Sequence, residues 1–245
     1  MQAELVGLSE GLRAATSTDR LWQLGLDALA RYGVTGICYA VTTSRRAALA
    51  SDLTEFDFAV FRYPGAPFNE FLQKQGFRND LTVRRVVQSG LTTVWHDESL
   101  WDNAEPEERR RALAEQEMGF RIGVTTTCSF EPGCVSGIGM TMHQMPAETF
   151  TRHWSDHGPK LQAITALLDA QVRRDHLPML IGLTPREVDC LSWLAAGLRP
   201  DQIAETLGIG YRTVDKYIVS ARGKLRARTR DQAVAKALTL RLIDP

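Results

Sequence analysis

The segment Thr184-Pro185-Arg186-Glu187 constrains this chain more than any other, because it fixes where a helix begins. Threonine three residues before glutamate lets each side chain satisfy an amide that a helix start leaves orphaned, and proline at the first helical position forfeits no hydrogen bond. The helix that follows carries Val188, Leu191, Leu194 and Ala195 on an apolar stripe with Trp193 beside it, and Gly197 stops it. A second helix is expected over 200–207, then Gly208-Ile209-Gly210, then a third over 211–225. The spacings make this more than a run of helices. Ala204 is small where two helices cross closely, Gly208 supplies left-handed backbone at the turn, and Val214 and Ile218 form the packing seam.

At about 100° per residue, Val214, Ile218, Ala221 and Leu225 share one stripe of the third helix, and Arg212, Lys216, Val219 and Gly223 fall opposite. That outer face suits a DNA major groove: Arg or Lys bonds guanine O6 and N7, valine meets a thymine methyl, and glycine permits close approach. Thr213, Lys224, Arg226 and Arg228 lie at the flank or end, placed for phosphates. Charge agrees. Residues 183–245 hold 11 Lys and Arg against 7 Asp and Glu, whereas residues 1–182 hold 18 against 22, so only the C-terminal part is basic. An isolated basic helix is as well explained by a solvated bundle face; the whole pattern separates the two readings.

With 245 residues the chain is long enough for two domains. No apolar run approaches the roughly 18 residues needed to span a bilayer, and the start MQAELVGLSEGLRAA lacks the basic end and apolar core of a secretory signal, so a cytoplasmic protein without membrane partners is expected. Cys38, Cys128, Cys134 and Cys190 show no CxxC spacing and read as reduced core thiols. A Walker loop and GxSxG are absent, and His153 and His157, at i, i+4 spacing, lack a third ligand nearby in sequence. An enzyme, a metal site and a cofactor are therefore not expected.

Before residue 173 the pattern mixes periods. Ser17 or Thr18 caps a helix through Leu21, Trp22 and Leu29 that stops at Gly33; a strand follows over 36–42 and an apolar run over 56–61, ending at Tyr63-Pro64-Gly65. A short helix over 69–75 and a charged one over 106–118 precede two alternating segments, 123–130 and 135–143, around Glu131-Pro132-Gly133, a hairpin signal. This order implies helices on one face of an antiparallel sheet. Leu161, Ile164, Leu167, Leu168 and Val172 recur at helical spacing, and residues 173–182, charged and with Pro178, read as a linker between a domain over 1–172 and one over 183–245.

Over all 63 residues from 183 to 245 the chain closely resembles the LuxR-type helix-turn-helix. The matching residues are Leu183-Thr184-Pro185-Arg186-Glu187, Leu191, Trp193, Ala195, Gly197, Ile203-Ala204, Leu207-Gly208, Thr213-Val214, Lys224-Leu225 and Asp231-Gln232-Ala233-Val234 with Ala237. Gly210 and Tyr217 stand where the family usually has serine and histidine. The resemblance implies a four-helix DNA-binding domain whose last helix, 231–242, pairs two copies, hence a homodimer on an inverted-repeat operator.

The region 5–172 lacks the early acidic pair, strand-end aspartate and later lysine of a phosphoacceptor domain. It resembles, more weakly, the autoinducer-binding domain of the quorum-sensing branch, on Tyr63-Pro64, Asp80 followed by Val83, Trp95, and Gly-Phe-Arg-Ile-Gly-Val from 119 to 124. That implies an α/β/α sandwich with an antiparallel sheet, so an α+β chain overall, enclosing an acyl-homoserine lactone. Asp80 would accept from the ligand's amide N–H and Trp95 would wall the lactone; capping a helix over 81–87 and filling the core are the other roles open to these two. Departures are sharper. Pro67 stands where the family has a tryptophan that donates to the lactone carbonyl, Phe71 where it has a tyrosine that donates to the amide carbonyl, and Leu81 replaces a proline. Each unpaired ligand acceptor would cost on the order of 1–3 kcal/mol. Either Tyr39, Tyr63, Ser129, Ser136 or Thr141 donates instead, or the ligand has changed. The readings are a transcription regulator responsive to an acyl-homoserine lactone or a related small molecule and, alternatively, a lactone-independent regulator or anti-activator that acts through pairing with DNA or a partner regulator.

Overall fold

The computed structural model describes residues 2–63 and 66–244, without the side chains of Ala66 and Pro67. It divides into two compact units, Met1–Asp169 and Ala170–Pro245.

The first unit opens with α1 (Gln2–Arg13) and α2 (Thr18–Ala30), the latter capped by Ser17, whose side chain accepts from the Arg20 N–H. Then come β1 (Gly36–Thr42), α3 (Arg45–Ala50), β2 (Phe58–Arg62), α4 (Ala66–Gln75), α5 (Leu81–Ser89), β3 (Thr93–Val94), a 3₁₀ turn (Glu98–Trp101) and α6 (Pro106–Glu117). The hairpin β4 (Gly123–Glu131) and β5 (Cys134–Thr141) follows, and then α7 (Ala147–Gln171), whose residues up to Asp169 belong to this unit. The five strands form one antiparallel sheet in the order β2-β1-β5-β4-β3.

Register decides what each face offers. Cys38, Gly139 and Thr125 are cross-strand partners on one face, as Tyr39, Ile138 and Thr126 are on the other. The second face is covered by α2 and α7: Trp22 packs 5.6 Å from Tyr39, and Asp169 accepts the Tyr39 O–H at 2.7 Å. The first face is covered by α4, α5 and α6, with Phe68, Leu72, Phe77 and Val87 in a core shared with Cys38, Ala40 and Tyr63. The expectation of helices on one face is thus corrected to helices on both, giving the sandwich. Among the described residues no helix is long and apolar enough to cross a membrane.

Residues 173–182, expected as a linker, are mostly helical: a π-turn over Val172–His176 runs into α8 (Leu177–Ile181), which ends at Gly182 with φ 81°. Pro178 sits in the first turn of α8 directly after the π-turn, so this proline does not end the helical run.

The second unit continues with α9 (Pro185–Ala195), α10 (Pro200–Leu207), α11 (Tyr211–Lys224) and α12 (Arg230–Thr239). Both bonds of the capping box form: Thr184 Oγ1 accepts from the Glu187 N–H at 3.3 Å, and the Thr184 N–H donates to Glu187 Oε2 at 2.7 Å. Gly208 takes φ 65°, and Cys190, Ile203, Ala204, Val214 and Ile218 form the buried core. Helix α12 stops at Thr239, short of the expected 242, and Arg241 turns the chain at φ 58°.

Candidate functional site

A cavity with about 880 Å³ of empty space, its open mouth included, lies between the first sheet face and the three helices over it. Its floor is low because the strands carry small residues there: Cys38, Ala40, Gly137 and Gly139. Phe56, Phe68, Leu72, Phe77, Val86 and Phe120 give it an apolar wall. Such a space suits a small molecule that is mostly apolar with a few polar atoms.

Its polar end is one connected network. Trp95 Nε1–H donates to Thr125 Oγ1 at 2.8 Å, Thr125 donates to Thr82 Oγ1 at 3.0 Å, and Thr82 donates to Asp80 Oδ1 at 2.8 Å. Asp80 Oδ1 also accepts the Val83 N–H at 3.1 Å, and Oδ2 receives Arg111 at 3.2 Å. Arg111 further donates to Glu115 Oε1 at 2.9 Å and to the carbonyls of Gly76 at 2.9 Å and Arg78 at 2.7 Å. Burial works against the Arg111 charge, but Asp80 and Glu115 outweigh it and hold its pKa above the ordinary value. Burial, with the Asp80 charge adding to it, pushes Glu115 up to about 7 against the pull of Arg111. Burial likewise raises the Cys38 thiol and the Tyr63 phenol well above their ordinary values.

Several expected residues meet here. Tyr63, Asp80 and Trp95 line the cavity, and Asp80 is at once the N-cap of α5, so the two roles read for it coincide. Gly123 is what admits Trp95: a Cβ there would stand 2.5 Å from the indole ring. Other expectations need correction. Tyr39 and Ser136 face α7 on the far side of the sheet, so neither can donate into the cavity. Phe71 is half-buried outside the lining, 6.1 Å from Phe68 and with the Arg111 guanidinium 5.7 Å over its ring. The Pro67 side chain and Pro64 lie outside the described residues. Sequence reasoning missed Thr82, Arg111, Glu115 and Thr125. The available signal was Arg111 and Glu115 at i, i+4, lost among the other charges of α6.

The second site is the outer face of α11. Arg212, Lys216 and Val219 are exposed, with Val219 at 49%, while Val214, Ile218 and Ala221 are buried. Thr213 is half-buried in the first turn, and Arg228 is exposed beyond the helix with its N–H donated to Gln232. Lys224, expected at phosphates, is instead bound to both oxygens of buried Glu187, at 2.8 and 2.9 Å, where it ties α11 to α9. Burial alone would raise the Glu187 pKa, but Lys224, Ser220 and the Thr184 N–H bring it below the ordinary value. His153 and His157 are 4.6 Å apart, but His153 Nε2 bonds the Tyr32 carbonyl, and no group of metal-binding side chains occurs among the described residues.

Comparison with known proteins places both units. Residues 17–172 match the model of the autoinducer binding domain, and residues 182–237 that of bacterial regulatory proteins of the luxR family. VjbR of Brucella abortus, a quorum sensing-dependent transcriptional regulator, is 36% identical over 115 residues, 46% of this chain and 44% of VjbR, so the match spans under half of that relative. RpaR of Rhodopseudomonas palustris, of the same description, is 30% identical over 174 residues, 67% of this chain and 68% of RpaR. A solved structure of SdiA in complex with octanoyl-rac-glycerol shares the fold, with a TM-score of 0.57 at 16% identity over 98% of this chain and 95% of SdiA. The chain belongs to the luxR family of bacterial regulatory proteins, with an autoinducer binding domain ahead of the helices that match the luxR-family model.

Proposed function

We propose that the protein is a cytoplasmic, ligand-responsive transcription regulator without catalytic activity, which binds an inverted-repeat operator as a dimer under control of an acyl-homoserine lactone or related small molecule. The observation that carries the ligand half is the apolar cavity closed at one end by the Trp95–Thr125–Thr82–Asp80–Arg111 network. The DNA half rests on the exposed Arg212, Lys216 and Val219 of α11, opposite its buried stripe. In the family pattern Asp80 faces the ligand amide; here it already holds Arg111, Thr82 and the Val83 N–H. That engagement, with Phe71 outside the cavity, favours a related acyl compound over a standard lactone and keeps a lactone-independent regulator as the second reading.

Thermal unfolding of the purified protein against lactones of varied chain length, and against octanoyl glycerol, tests this. A ligand at one hundred times its Kd stabilises by about 2.7 kcal/mol, a shift of several degrees. A shift with one compound supports the receptor reading. No shift from a folded protein that still retards operator DNA in a gel supports the lactone-independent one.

A further inference from the structure

Glu115 stands in the cavity wall with only half of its carboxyl engaged. Oε1 takes Arg111 Nε–H at 2.9 Å, while Oε2 has no hydrogen-bond partner among the described residues. The side chain is 22% exposed and lies among Phe120, Phe77 and Leu72 as co-lining residues. One guanidinium therefore serves two carboxyls. Asp80 receives three donors, from Val83, Thr82 and Arg111, whereas Glu115 receives one. Of the two, Glu115 is the one that a proton relieves.

We propose that Glu115 meets the molecule that occupies the cavity in its protonated form and presents Oε2–H as a donor to a carbonyl oxygen of that molecule, an uncharged acyl compound. The proposal rests on the reading of the cavity as a ligand site. It explains how the chain manages with Pro67 and Phe71, residue types without a side-chain donor. The charged and titratable groups around Glu115 agree: Arg111 from α6 and Asp80 from the start of α5 offset one another, while Cys38 from β1 and Tyr63 after β2 are held neutral by burial. Arg121 stands among the lining residues but is exposed, where water screens it. Burial already brings Glu115 to about 7, and a ligand that displaces water pushes it further the same way.

The test measures affinity of the full-length protein for octanoyl homoserine lactone and for octanoyl glycerol, which has no lactone ring to open in base, near pH 6 and pH 8. Glu115→Gln, which keeps a donor without titrating, is measured beside it, and the carboxyl is followed by infrared difference between the two proteins. With a pKa of about 7, wild-type affinity falls about tenfold between the two pH values. The glutamine variant binds equally at both, near the wild-type value at the lower pH. Wild-type affinity that ignores pH, or a glutamine variant weaker than wild type throughout, overturns the proposal. If neither compound binds wild type at either pH, the acyl-receptor reading falls by itself and the infrared titration decides. A protonated band from Glu115 that persists to neutrality sustains the proposal, and ionisation in the ordinary carboxylate range overturns it.

Discussion

Glu115 binds a proton in the folded chain at pH values where the unfolded chain has released it, because its pKa rises from 4.5 to about 7 on folding. Its contribution to stability is fully present below the unfolded value and is lost as the pH climbs through 7. The shift corresponds to about 3 kcal/mol, so urea unfolding of the ligand-free protein should show stability declining between about pH 5 and pH 8, and Glu115→Gln should flatten that slope. Gly123 sets a second limit at this scale. A Cβ there meets the Trp95 ring at 2.5 Å and also the Met140 carbonyl, so Gly123→Ala should cost about 1–3 kcal/mol and shift tryptophan fluorescence as the indole moves. Unchanged stability and emission would show that Trp95 has room the geometry denies. Legibility was uneven here. Asp80, Tyr63 and Trp95 could be read only through the family resemblance that they carry, and all three line the cavity; Tyr39 and Ser136 could not be excluded, because strand alternation separates two faces without telling which one is open.

Elements were legible where side chains themselves terminate them. The capping box of α9 and the left-handed Gly208 are local chemistry, and the structure has both. Helix α6 was harder. Its sequence PEERRRALAEQE has almost no apolar stripe, so beyond the i, i+4 spacing of Arg111 and Glu115 nothing local tells that Glu108 is buried against Arg84 and Arg111 against Asp80 and Glu115 while Arg109 and Arg110 meet solvent. Residues 173–182 misled for a related reason, since a proline that ends one helix and a proline in the first turn of the next look alike in sequence. The tie between α9 and α11 gives a prediction of opposite pH sense to that of Glu115. Glu187 has a depressed pKa, so its contribution is present above the unfolded value and is lost as pH falls through the folded one. Glu187→Gln should destabilise the second unit by about 1–3 kcal/mol at neutral pH, with the difference from wild type vanishing in acid. A cost that persists in acid would assign the effect to packing rather than to the ion pair with Lys224.

For the whole molecule, the charge division that was visible in the sequence assigns the two tasks to different units. The basic excess lies where α11 exposes Arg212 and Lys216, and the cavity lies in the acidic part. On the proposed reading, one α11 would reach only a few base edges and give little discrimination, and two copies related by a twofold axis would read an inverted repeat with half-sites about one helical turn apart. Geometry then makes two separable predictions for operator binding. Arg212→Ala should cost about 1–3 kcal/mol and relax preference at one position of each half-site, whereas Arg228→Ala, exposed beyond the helix and assigned to phosphate on the proposed reading, should weaken all sequences alike and reduce the salt slope by about one per site. Inserting about five base pairs between half-sites turns them to opposite sides of the duplex. Affinity should then fall to that of a single half-site, and a further insertion of about five should restore part of it, because full-turn spacing returns both half-sites to one side. Binding that is indifferent to the insertion would mean that each chain docks alone, and the twofold arrangement would have to be abandoned even if Arg212 still reads its base.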